Sequence, residues 1–97
     1  GTRPAEARLA HIFCEMLIRT RMAGSAEDDD IEFPLTQAEL SESMGLTQVH
    51  INRVLQKLRH EGLVKLEKKR LTILDWDRLK QFSQFDPTYL HCQNVPA

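Results

Sequence analysis

The chain has 97 residues, which suffices for one domain with a modest hydrophobic core. Its 41% hydrophobic and 28% charged residues, with four glycines and four prolines, exclude a disordered segment and a fibrous protein. The formal net charge is −1, no apolar run approaches the ~18 residues of a membrane helix, and no signal peptide is evident. Two cysteines outside any Cys-x-x-Cys pair are too few for a disulfide scaffold, so we predict a reduced, cytoplasmic domain rather than a large enzyme.

The small net charge conceals two blocks of opposite sign. Residues 24–45 contain seven acids and no base, whereas residues 46–70 contain seven bases and two acids, a local excess of 7 − 2 = +5. Because screening over ~10 Å makes a polyanion sensitive to local charges, the basic block is a candidate nucleic-acid surface. A solvated charged face is an equal alternative on charge alone.

The first predicted helix runs from Pro4 to about Ala23. Its apolar residues have the spacing of one buried stripe, namely Leu9, Ile12, Phe13, Met16 and Leu17. A polar, acidic loop follows over residues 25–30. Residues 31–35 alternate apolar and polar side chains and include Pro34, which is typical of a short edge strand.

Two shorter helices and a hairpin are predicted next. Thr36 and Glu39 have the spacing of a capping box for a helix that ends at Gly45, and Thr47 caps a helix to about Glu61. Aliphatic residues in 63–66 and 71–74 flank a polar turn and predict a β-hairpin. A last helix then starts after an Asp75 cap and carries Trp76, Leu79 and Phe82 on one face.

The two helices that meet at Gly45 match the residue pattern of a helix-turn-helix. In a 20-residue unit starting at Gln37, the fifth residue is the small Ser41 and the ninth is Gly45. Apolar residues occupy the fourth, eighth, tenth, fifteenth and eighteenth places, namely Leu40, Met44, Leu46, Ile51 and Val54. The small residue permits close helix contact and the glycine permits the sharp turn, so this pattern favours a helix-turn-helix over a plain helical hairpin.

With its flanking elements, this sequence resembles the DNA-binding domain of the Crp/Fnr family of bacterial transcription factors, named for the cyclic-AMP receptor protein and the fumarate–nitrate regulator. The resemblance rests on five segments: Leu-Thr-Gln-Ala-Glu-Leu at 35–40, Gly-Leu-Thr at 45–47, Ile-Asn-Arg-Val-Leu-Gln-Lys-Leu at 51–58, Glu-Gly-Leu-Val at 61–64 and Arg-Leu-Thr-Ile-Leu-Asp at 70–75. It also includes the start of the first helix at Arg8-Leu9-Ala10 and Phe85-Asp86-Pro87.

The resemblance implies a mainly α, winged helix-turn-helix domain with a small β-hairpin wing. A single domain would span residues 1–97, with the helix-turn-helix at about 36–61, the wing at about 63–74, and the last helix and tail at 75–97. It implies no cofactor in this domain, a palindromic double-stranded DNA operator, a homodimer in the full-length regulator, and RNA polymerase as a further candidate partner. A sensory β-roll would precede the domain in such regulators and is absent from this sequence.

A helical wheel over residues 47–61, at ~100° per residue, separates a core face from an outer face. The outer face and its start supply the candidate base contacts Gln48, Val49, Asn52 and Arg53. Arg53 can donate two hydrogen bonds to guanine and matches an arginine of similar family members. Its alternative is a surface salt bridge, for example with Glu61 or Asp30.

Val49 departs from the family, because many relatives carry a glutamate there that accepts from cytosine. A valine could instead contact a thymine methyl group, and an isolated exposed apolar residue is the equal alternative.

Candidate phosphate contacts lie on both helices and on the hairpin. Thr36 and Thr47 stand at helix N-termini, where free N–H groups attract phosphate, although their first role is capping. The others are His50, Gln56, Lys57, Lys68, Lys69 and Arg70. Gln48, Asn52 and Gln56 fit adenine edges and phosphates equally well. Lys68 stands where relatives often have glycine, which predicts a wider or slightly strained turn.

Catalytic and metal sites have little support. The adjacent His91 and Cys92 lack metal-ligand spacing, and the acids at 27–32 lack the glycine and terminal glutamate of a calcium loop. Cys14 is expected to be a small, partly buried residue. We therefore predict a non-enzymatic DNA-binding domain. The competing class is a winged helix used for protein docking, against which the exposed lysines and arginines argue.

Overall fold

The computed structural model describes residues 4–24 and 29–84. In chain order its elements are α1 (Ala5–Met22), β1 (Asp30–Glu32), α2 (Gln37–Met44), α3 (Gln48–His60), β2 (Val64–Glu67), β3 (Arg70–Ile73) and α4 (Trp76–Ser83). This arrangement confirms the predicted winged helix-turn-helix. The predictions for the tail at 85–97 lie outside the described residues. No helix in the described part is long and apolar enough to cross a membrane.

The three strands form one antiparallel sheet in the order β1-β3-β2. The first strand is indeed an edge strand, but it covers Asp30–Glu32 rather than the predicted residues 31–35. Pro34 has no N–H to donate, so the ladder cannot continue through it. The last main-chain bond on this side runs from the Phe33 N–H to the Lys69 carbonyl at 2.7 Å.

The hairpin turn between β2 and β3 is tight, contrary to the wider turn considered for Lys68. Glu67 and Arg70 are paired across the ladder, which leaves only Lys68 and Lys69 in the loop. Both have positive φ, at 50° and 62°, as a two-residue type I′ turn requires. Because neither residue is glycine, the turn is strained.

The core is built around α1, which contacts α3 and α4. Leu9, Phe13 and Leu17 of the predicted stripe are fully buried. The rings of Phe13 and Phe33 pack edge to face, with their centroids 5.4 Å apart. Ile12 and Met16 are only partly buried, whereas Ala10 and Cys14 are fully buried. The inward face of α1 is therefore rotated from the predicted stripe, because α4 packs on its other side.

Cys14 is fully buried, not partly buried as predicted, since it lies in the contact between α1 and α4. Its Sγ is 3.6 Å from the Ser83 hydroxyl. Desolvation by burial raises the pKa of this thiol to about 11.

The helix-turn-helix has the predicted caps. The Glu39 N–H donates to the Thr36 hydroxyl at 3.1 Å and the Thr36 N–H to the Glu39 carboxylate at 2.9 Å, which completes the capping box. Gly45 ends α2 with φ 69°, and the Leu46 N–H donates to the Ser41 carbonyl at 2.9 Å. The Gly45 turn and the Leu46–Ser41 bond set the direction in which α3 follows α2.

Candidate nucleic-acid interface

One side of α3 is buried and the other is open to solvent, as the helical wheel predicts. Ile51, Val54, Leu55 and Leu58 are buried. The predicted base-contacting residues are all exposed, and Val49 retains 63% of its accessible surface. At the start of the helix, the Thr47 hydroxyl accepts from the His50 N–H at 3.1 Å. The structure thus places Gln48, Val49, Asn52 and Arg53 on an uncovered helix surface.

Arg53 makes no ion pair within residues 4–24 and 29–84. The two carboxylates considered as its partners are engaged elsewhere: Glu61 lies 3.7 Å from Arg78, and Asp30 lies 3.0 Å from Arg70. The guanidinium is therefore available to a ligand of the α3 surface.

On one flank, α3 meets the start of α1. The Lys57 ammonium lies 3.4 Å from the Glu6 carboxylate. Glu6 has a lowered pKa, chiefly because of a hydrogen bond from its backbone, with smaller contributions from Lys57 and His50. His50 and Lys57 therefore belong to the same edge of the helix, and part of the Lys57 charge is offset by Glu6. The sequence offered no signal for this pair, since 51 positions separate the two residues.

On the other flank, α3 meets the wing, which is the hairpin of β2 and β3. Arg59 lies 3.8 Å from Glu67 and connects the last turn of α3 to β2. Beyond this contact Lys68 and Lys69 project at the hairpin tip, exposed and without an ion pair to any residue in the described part of the chain. The wing therefore ends in two exposed ammonium groups.

The wing tip lies beside the N-terminus of α2. A shallow groove is lined by Leu35, Thr36 and Gln37 on one side and by Leu66, Lys68 and Lys69 on the other. Lys69 also contributes to the lowered pKa of Glu39, which is due first to the hydrogen bonds from Thr36. Three of the predicted phosphate contacts, Thr36, Lys68 and Lys69, thus come together, although they are distant in sequence.

Arg70 differs from the two lysines beside it. Its Nε and Nη2 lie 3.2 Å and 3.0 Å from one carboxylate oxygen of Asp30. The prediction that Arg70 contacts phosphate did not anticipate this partner, because the pairing of β1 with β3 could not be read from the sequence. The described residues contain no cluster of three or more His, Cys, Asp or Glu that could hold a metal ion.

A helix-turn-helix with an uncovered second helix, flanked by a basic-tipped hairpin, defines the winged-helix class of DNA-binding domains. Within that class the match is specific: the sequence profile of the Crp-like helix-turn-helix domain matches residues 7–82. The chain therefore belongs to the Crp-like helix-turn-helix family, whose members are DNA-binding domains of transcription regulators.

Solved structures agree with this assignment. A protein described as a transcriptional regulator of the Crp/Fnr family from Eubacterium rectale is 27% identical, with a TM-score of 0.64 over 84% of this chain and 34% of that chain. A CRP-family transcriptional regulator from Thermus thermophilus is similar in fold, with 22% identity and a TM-score of 0.65 over 86% of this chain and 42% of that chain. No curated protein matches significantly.

The CO-dependent transcription factor CooA from Carboxydothermus hydrogenoformans also shares the fold, at 24% identity and a TM-score of 0.62, over 81% of this chain and 36% of that chain. The present chain thus spans between a third and about two fifths of the length of these three proteins.

Proposed function

We propose that this chain is the sequence-specific output domain of a Crp/Fnr-type regulator and inserts α3 into the major groove of DNA. The observation that carries the proposal is the uncovered face of α3, on which Arg53 has no ion-pair partner in the described residues, while the two acids considered as its partners pair with Arg70 and Arg78. An α-helix fits the B-DNA major groove, where base edges are distinguishable. The chain has no proposed enzymatic role.

The proposed base contacts occupy the N-terminal half of α3. Arg53 would donate two hydrogen bonds to guanine O6 and N7, and Val49 would pack on a thymine methyl group. Gln48 and Asn52 would meet adenine edges or nearby phosphates. All four residues are exposed, which supports the proposal.

The proposed phosphate contacts surround this face. Thr36, Lys68 and Lys69 share one groove, and Thr47 and His50 stand at the start of α3, where helix N–H groups attract anions. Gln56 and Lys57 would hold the DNA backbone farther along α3, and Arg70, beside the tip, would reach a phosphate only by leaving Asp30. These contacts position the domain and add affinity without reading sequence.

The full-length regulator would act as a homodimer on a palindromic operator in the cytoplasm, with RNA polymerase as a further partner. Two copies would place their α3 helices in successive major grooves about one helical turn apart. A second half-site would be met at high effective concentration, so the dimer should bind far more tightly than one domain.

The testing experiment is a fluorescence-anisotropy titration of the 97-residue chain with duplexes selected from a random pool. About four to six phosphate contacts predict weak binding with a log–log salt slope near −0.9 per contact. Arg53→Ala should weaken the selected site by about 1–3 kcal/mol and unrelated DNA much less. Lys69→Gln should weaken all duplexes alike and lower the slope by about one unit.

A DNA affinity that does not change with salt concentration would contradict the proposal. If selection yields no preferred site and Arg53→Ala changes nothing, the uncovered face of α3 does not read bases, and docking of another protein becomes the better account.

A further inference from the structure

The outward face of the three-stranded sheet carries alternating acids and bases. In β1 the pattern of exposed Asp30, buried Ile31 and exposed Glu32 directs both acids away from the core. Arg70 faces the same way, because the next residue, Leu71, is buried. Glu32 and Glu67 are the register partners of Arg70 on its two sides. Arg70 therefore stands on a face that contains three carboxylates.

Among these acids, only Asp30 binds Arg70 directly. One Asp30 oxygen accepts a hydrogen bond from the Arg70 Nε–H at 3.2 Å and lies 3.0 Å from Nη2 in the same ion pair. Glu67 instead lies 3.6 Å from Lys65 and 3.8 Å from Arg59, and Glu32 makes no ion pair with any other residue that the structure describes. Asp30 is thus the acid that determines whether the Arg70 charge is free.

The net charge of the wing region is much lower when the acids of β1 are counted with it. Residues 64–73 contain Lys65, Lys68, Lys69 and Arg70 against Glu67, which gives 4 − 1 = +3. Adding Asp30 and Glu32 lowers this sum to 3 − 2 = +1. Binding to DNA phosphates depends on the net positive charge of the protein surface beside them. The two acids of β1 therefore reduce the attraction of the wing for DNA.

We propose that Asp30 is an affinity-setting residue that holds Arg70 away from DNA phosphates, so that the wing binds the backbone through Lys68 and Lys69 alone. The inference rests on the proposed DNA-binding function. Its physical basis is competition: the Arg70 guanidinium either keeps its hydrogen bond and ion pair with the Asp30 carboxylate or exchanges them for a phosphate. Asp30 would act through Arg70 and need not touch DNA, which makes it a positioning residue.

The design is a comparison of Asp30→Asn with Glu32→Gln in the 97-residue chain. Both variants remove one negative charge from the outward face of β1, but only Asp30→Asn releases a bound cation. Each would be titrated with the selected duplex and with an unrelated duplex across a salt series. Exposed ion pairs contribute little to folding, so circular dichroism and thermal midpoints should match the parent chain.

We expect Asp30→Asn to tighten binding roughly three- to tenfold at low salt and to steepen the salt slope by about 0.9, as one new phosphate contact requires. The gain should be equal on both duplexes, because phosphate contacts carry no sequence information. Glu32→Gln should gain less than about twofold and leave the slope unchanged. In an Arg70→Ala background, the effect of Asp30→Asn should shrink to that of Glu32→Gln.

Equal effects of the two variants, or weaker binding by Asp30→Asn, would overturn the role of Asp30 while leaving the proposed function intact. A gain that persists undiminished in the Arg70→Ala background would overturn it as well, since Arg70 would then not mediate the effect. If the parent chain binds neither duplex at any salt concentration, the proposed function fails and the inference fails with it.

Discussion

The guanidinium of Arg8 donates a hydrogen bond to the main-chain carbonyl of Met44 at 3.1 Å, across 36 positions of sequence. Met44 is the last residue of α2 and directly precedes the left-handed Gly45. The last turn of α2 contains no basic side chain, so α1 supplies the cation that favours the negative end of this helix. Arg8 therefore attaches α1 to the point at which the helix-turn-helix changes direction.

Replacing Arg8 should loosen this turn. Arg8→Ala removes a charged donor from a partly buried carbonyl, and we expect a loss of about 1–2 kcal/mol in the free energy of unfolding. Urea denaturation measures this loss. Arg19→Ala is the matched control on the same helix, because its contact is an exposed pair with Glu15 at 3.9 Å and should contribute below about 0.5 kcal/mol. Equal losses for the two variants would contradict the capping role.

Local patterns account for what could be predicted of this fold. The capping box at Thr36, the turn at Gly45 and the buried side of α3 depend on residues within a few positions of each other, and all were predicted. The edge strand was predicted too, but its pairing with β3 was not. That pairing joins residues about 40 positions apart and depends on the tertiary fold rather than on a local pattern. For the same reason the sequence did not reveal the Asp30–Arg70 and Glu6–Lys57 pairs.

The burial of Cys14 was underestimated for a related reason. A single apolar stripe describes a helix with one buried face, whereas α1 packs against both α3 and α4. Residues beside the stripe thereby become core residues. The base and phosphate contacts remain predictions, because the exposure of a side chain shows that it is available and not what it binds.

We expect Lys69 to lower the stability of the wing turn while it supplies a positive charge for DNA binding. Lys69 has φ 62°, a conformation that glycine adopts without strain. We expect Lys69→Gly to raise the free energy of unfolding by about 0.5–1 kcal/mol while weakening binding to every duplex. Lys69→Gln separates the two effects, because it removes the same charge but keeps the β-carbon. Lys69→Gln should weaken DNA binding as much as Lys69→Gly does, without raising the free energy of unfolding measured by urea denaturation. If both variants raise that free energy, the strain at Lys69 is disproved.

The Cys14 thiol should resist modification in the folded state and make stability fall at high pH. Burial raises its pKa to about 11 from an ordinary value of 9.0. Above pH 9 the unfolded chain loses this proton while the folded chain retains it, so unfolding becomes easier as pH rises from about 9 to 11. The contribution that disappears is up to roughly 3 kcal/mol.

Two measurements test this expectation. In a Cys92→Ser background, thiol labelling at pH 8 should be slow in buffer and fast in urea. Cys14→Ala should flatten the decline in unfolding free energy between pH 9 and 11 compared with that background. Rapid labelling of the folded chain would show that the thiol is accessible.

Val49 provides the sharpest test of base reading, because its 63% exposure on the open face of α3 leaves an apolar side chain facing solvent. If it packs on a thymine methyl group, Val49→Glu loses that contact and brings a carboxylate close to phosphates. Binding to the selected duplex should then weaken by about 1–3 kcal/mol and recover where a cytosine amino group can donate to the carboxylate. Selection from random duplexes should show the preference moving at one base step.

The matched control for Val49 is His60→Glu, which places the same charge on the same outer face at the last residue of α3. If the N-terminal part of α3 enters the groove as proposed, this variant should weaken binding to all duplexes through repulsion and leave base preference unchanged. If Val49→Glu changes the base preference and His60→Glu does not, base reading is assigned to the start of α3. If Arg53→Ala alters preference and Val49→Glu does not, Val49 is an exposed residue without a base partner, and Arg53 reads the site without it.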